Sequence, residues 1–77
     1  MTKKEMMTAI MNVYEANGGT ISEQSRKKID ERYPKKSSEY IQRNYEFVVC
    51  KKGGQDDKRN AAFAIACLTD VFLKVED

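Results

Sequence analysis

Apolar residues recur at intervals of three and four through most of this chain, which is the spacing of one face of an α-helix. At the N-terminus the pattern runs through Met6, Met7, Ile10, Val13 and Tyr14. It is preceded by Thr2 and Glu5 at the separation of a capping box, in which hydroxyl and carboxylate each take a free backbone N–H. Asn17-Gly18-Gly19 supplies the stop, since glycine enters the left-handed C-terminal turn without a Cβ clash. A first helix over Lys3 to Ala16 follows. On its wheel Met11 falls among Lys4, Thr8 and Glu15, a position expected to be exposed.

Thr20 and Glu23 repeat the capping-box spacing and open a second, short helix. Its apolar positions, Ile21, Ile29 and Tyr33, make one thin line of contact, and Pro34 is expected to stop it by disfavouring helical geometry at Tyr33. Ser37 or Ser38 can cap a third helix carrying Tyr40, Ile41, Tyr45, Phe47 and Val48 and ending at Gly53-Gly54. Asp56 or Asp57 then caps a fourth. Here Ile65, Leu68, Phe72 and Val75 form one stripe, Phe63, Cys67 and Val71 another, and Ala62 and Ala66 much of the remainder. A helix apolar nearly all round belongs at the centre of a bundle or against a partner. The competing pattern is a β-hairpin across 45–67, because Tyr45-Glu46-Phe47-Val48-Val49-Cys50 is rich in strand formers. Its alanine-rich second arm favours helix. The expected architecture is therefore all-α: one domain, residues 1–77, a small bundle of four helices, one of them short, packed around the apolar C-terminal helix.

Composition narrows the functional classes. Seventy-seven residues leave little room for a sealed active site, and the absence of His removes the commonest general base near neutral pH. Asp30-Glu31 and Asp56-Asp57 are adjacent pairs whose side chains diverge on a helix, which suits solvation or capping rather than acid–base work. Gly53-Gly54 lacks the spacing of a phosphate-binding loop. No enzymatic activity, cofactor or metal is expected. Cys50 and Cys67 lie in apolar runs and read as two buried thiols in a reducing compartment. The basic start is interrupted too soon, by Glu5, for a secretory signal, and the densest apolar stretch is too short to span a membrane. A soluble cytoplasmic protein is expected, of a size that suits a phage or mobile-element gene.

Charge changes the picture once it is divided along the chain. The net +2 hides zero over residues 1–19, +4 over residues 20–52 and −2 over residues 53–77. Arg26, Lys27, Lys28, Arg32, Lys35 and Lys36 surround the junction of the second and third helices, with Gln42 and Arg43 following. These eight residues are the candidate partner-binding set. With Tyr14, Tyr33, Tyr40 and Tyr45 beside this mixed charge, they point to a small regulatory protein of inhibitor or adaptor type that binds another protein, since tyrosine and arginine commonly anchor such interfaces. A homodimer is among the expected partners. The alternative is a DNA-binding regulator, dimeric because one short recognition helix reads few bases. The short basic helix, the turn holding Pro34 and the helix that opens at Ser37-Ser38 and carries Gln42, Arg43 and Asn44 resemble a helix-turn-helix in architecture, although Glu39 and Glu46 on the third helix oppose a phosphate backbone.

Overall fold

The computed structural model describes residues 1–50 and 57–75. Four helices follow in order: α1 (Lys3–Ala16), α2 (Glu23–Arg32), α3 (Ser38–Val49) and α4 (Asp57–Thr69), with a 3-10 turn at Tyr33–Lys35 between α2 and α3. No strand occurs among the described residues, and the segments 45–49 and 57–67 are helical, so the hairpin is excluded there.

α1 has the predicted bounds and both predicted ends. Glu5 N donates to Thr2 Oγ1 at 3.1 Å, and Thr2 N donates to Glu5 Oε1 at 2.8 Å, completing the capping box. At the other end Gly18 adopts φ 93°. Its N–H donates to the Glu15 carbonyl at 3.1 Å and that of Gly19 to the Tyr14 carbonyl at 3.0 Å, the paired bonds of a Schellman motif. A Cβ at Gly19 would overlap the Tyr14 ring, so this turn needs its second glycine for space. Met6, Met7, Ile10, Met11 and Tyr14 are buried along α1. Met11 is thus inside rather than exposed: α2 folds back over that flank, and Arg26 Nη1 lies 3.9 Å from the Met11 sulfur.

α2 begins later than the spacing predicts. Its cap is Ser22, whose Oγ accepts from Ser25 N at 3.1 Å, and Thr20 stays outside the helix. The chain remains extended through Ser22 (φ −68°, ψ 161°), which lets Ile21 reach the core before the helix starts. Ile29 is the one buried residue of α2. Pro34 does not halt helical geometry at Tyr33, which has φ −61° and ψ −34°. Proline fits the first turn of a new helix because its missing N–H is not needed there, and here it starts the 3-10 turn.

Ser37 caps α3 by accepting from Tyr40 N at 3.1 Å. Ile41 and Val48 are its buried anchors, with Tyr45, Phe47 and Val49 partly buried beside them. The helix closes at Val49 with Cys50 as its cap; the stop expected at Gly53-Gly54 and the cap expected at Asp56 lie outside the described residues. Both cysteines are free. Cys50 is exposed and Cys67 half-buried, because the apolar runs that hold them are helical and turn these positions outward.

α4 buries Ala61, Ala62, Ala64, Ile65, Leu68 and Thr69. It packs against α1, α2 and α3, while α1 packs broadly against α3 and α4, so these three helices share the centre and α2 lies on α4. The stripe predicted through Phe72 and Val75 is broken at Asp70, which has φ 58°. Thr69 Oγ1 donates to the Ile65 carbonyl at 2.6 Å and accepts from Val71 N at 3.3 Å, while Arg32 Nη1 donates to the Thr69 carbonyl at 3.0 Å. The Thr69 carbonyl is therefore held by a side chain, and the backbone turns back. Residues 70–75 run without regular structure, with Val71 buried and Tyr14 Oη donating to the Lys74 carbonyl at 2.7 Å. Phe72 ends up 82% exposed. The described fold measures 31 × 29 × 16 Å. Its thin dimension is not much more than one helix diameter, which leaves the outer side of α4 at the surface.

Candidate functional site

The eight candidate residues divide by helical phase. Arg26, Ile29, Arg32 and Tyr33 recur at three- and four-residue spacing, and all four turn toward the body of the protein. Arg26 Nη2 meets Glu15 Oε1 at 3.1 Å, Ile29 is fully buried, and Arg32 reaches the Thr69 carbonyl. Arg26 and Arg32 therefore tether α2 to α1 and to the end of α4, a structural role that the charge pattern alone does not reveal.

Lys27 and Lys28 lie on the opposite side of α2 and are exposed, as are Lys35 and Lys36 in and after the 3-10 turn. Among the described residues the side chains of these four lysines hold no hydrogen bond or ion pair. Lys3 joins them from α1, its Nζ donating to the Pro34 carbonyl at 3.1 Å. This neighbour is invisible in the sequence, because it comes from the far end of the chain. Gln42 and Arg43 are exposed on α3. Gln42 lines a hollow of about 150 Å³ with Met1, Met6 and Tyr45, on the seam between α1 and α3.

The four tyrosines differ in availability, and Tyr14 is buried in the core rather than open to a partner. Tyr33 and Tyr45 are partly buried against the core. Tyr40 is the most open at 39%, and its hydroxyl lies 3.5 Å from the Cys67 carbonyl. Exposed acids, Glu23, Asp30, Glu31 and Glu39, remain interleaved with the bases. α2 packs on α4 rather than forming a packed pair with α3.

A second surface feature lies on the outer side of α4, where Phe63 is 61% exposed although the sequence pattern assigns it to the core. Its ring meets that of Phe47 edge to face, with centroids 6.3 Å apart and planes at 62°. Beside it an open groove of about 400 Å³ is lined mainly by apolar side chains from α4 and the segment after it.

Among the described residues no cluster of His, Cys, Asp or Glu is placed to hold a metal ion. No described helix is long and apolar enough to cross a membrane. No protein-family model matches the chain, and no curated protein or solved structure shows significant similarity to it.

Proposed function

We propose that the chain is a non-enzymatic regulatory protein that occludes an acidic surface of another protein with the basic face of α2 and the following turn. The observation that carries this reading is the state of Lys27, Lys28, Lys35 and Lys36: all four are exposed and unpaired within the described fold. Positive charge that no intramolecular acid neutralises is available to steer and register a partner of opposite sign. Arg26 and Arg32 support that face from beneath by fixing α2 to the body. Four exposed acids on α2 and α3 suit a protein partner of mixed charge better than the uniform phosphate array of DNA.

Capture from host lysate with wild type and with a Lys27→Glu/Lys28→Glu/Lys35→Glu/Lys36→Glu variant tests the reading. A partner retained by wild type and lost by the variant is the expected result. Equal retrieval by both means that the face is merely solvated. A salt-sensitive mobility shift on random duplex DNA, abolished in the same variant, would favour nucleic acid instead.

A further inference from the structure

We propose that the outer face of α4 docks a second copy of this chain, antiparallel, about a two-fold axis passing between residues 64 and 65. The proposal is independent of the basic face. Arg59, Phe63, Ala66 and Asp70 line one groove, joined by Phe72 from the segment that follows. Phe63 is 61% and Phe72 82% exposed, and large apolar side chains left open together mark association surfaces.

The occupant follows from the order of residues along this line. Arg59 stands at the N-terminal end and Asp70 at the C-terminal end, about 16 Å apart at the helical rise of 1.5 Å per residue. An antiparallel copy about the stated axis brings each Arg59 opposite the second copy's Asp70. The same axis sets each Phe63 over the second copy's Ala66, a large side chain over a small one. Both matches occur twice, as a two-fold interface requires. A slip of one turn in either direction puts Phe63 on Phe63 or against Asp70 and removes the Arg59–Asp70 match at both ends. A partner helix of a single charge sign would satisfy only one end of the groove. Arg59 already holds an interaction within its own chain, and its five N–H donors allow it to accept a second partner.

Sedimentation equilibrium of the full chain over a wide micromolar range tests the proposal, with Arg59→Glu, Asp70→Lys and Phe63→Ala variants alongside wild type. Wild type is expected to dimerise. Either charge reversal alone creates two like-charge contacts and should weaken dimerisation about tenfold or more. An equimolar mixture of the two reversed chains restores opposite charges at both ends, so it should recover the dimer as a heterodimer. Phe63→Ala removes an exposed side chain without opening a core cavity and should weaken dimerisation by a similar factor. Wild type that stays monomeric throughout overturns the proposal, as does a dimer indifferent to Phe63→Ala. Folded charge variants that fail to associate on mixing overturn the proposed register.

Discussion

Glu5 shows how one side chain couples helix initiation to pH. The hydrogen bond from the Thr2 backbone N–H, and then that from the Thr2 hydroxyl, hold its carboxyl below the ordinary glutamate value of 4.5. A folded-state value below the unfolded one means that the ionised form supports the fold. Its contribution is complete above the unfolded value and is lost as pH falls through the folded value. Glutamine at this position keeps the reciprocal bond to Thr2 without titrating. Thermal unfolding followed by circular dichroism from pH 6 to pH 3 should therefore show a smaller loss for Glu5→Gln than for wild type. Equal losses would mean that the cap does not contribute to acid sensitivity. Tyr14 is another residue with two duties: its ring lies under the Gly19 turn, and its hydroxyl fixes the chain beyond α4 at Lys74.

Among the elements, α2 is where local and tertiary signals diverge. Both Thr20 and Ser22 have the chemistry of a cap, and only Ser22 accepts a backbone N–H. Ser22→Ala should cost about 1 kcal/mol, the usual value of an N-cap, whereas Thr20→Ala should leave the unfolding midpoint nearly unchanged. Urea denaturation of the two variants separates them, and a larger loss for Thr20→Ala than for Ser22→Ala would place the cap at Thr20. The Thr20–Glu23 spacing misleads because the burial of Ile21, a tertiary preference, decides where the helix begins. α1 is legible to the residue since both its caps are local chemistry: Thr2 with Glu5 at one end, the paired glycines at the other. α4 is legible only as far as Thr69. The apolar period continues through Phe72 and Val75, but the turn at Asp70 depends on Arg32 reaching the Thr69 carbonyl, a contact between distant parts of the chain. The candidate site follows the same rule. Charge density marks the junction of α2 and α3 as basic, while helical phase and long-range packing decide that Lys27 and Lys28 stay without a partner among the described residues and that Arg26 and Arg32, though partly exposed, bind Glu15 and the Thr69 carbonyl.

Over the whole molecule, stability and proposed contact surface are distributed unequally. α1, α3 and α4 pack against one another through their buried faces, whereas α2 attaches mainly to α4 with Ile29 as its single buried side chain. Arg26–Glu15 is a partly exposed ion pair, and such pairs contribute at most about 1 kcal/mol. The detachment of α2 therefore requires much less free energy than unfolding of the three-helix core, and the two should appear as separate steps of hydrogen exchange. Amides of α2 should exchange first, by a local opening, while those of α1 and α4 report global unfolding. Truncation at a buried isoleucine removes about 2–5 kcal/mol of stability, but the consequences should differ by element. Ile10→Ala should lower protection in α1, α3 and α4 and leave α2 close to wild type, because Ile10 stays buried when α2 opens locally. Ile29→Ala weakens the native state against both openings, so protection should fall in α2 and in the core alike. Loss of α2 protection in Ile10→Ala would show that α2 opens only together with the core. The weakly held element is also the one that carries Lys27 and Lys28, so a partner bound at the basic face should act as an external clamp. Protection gained on binding should then concentrate in α2.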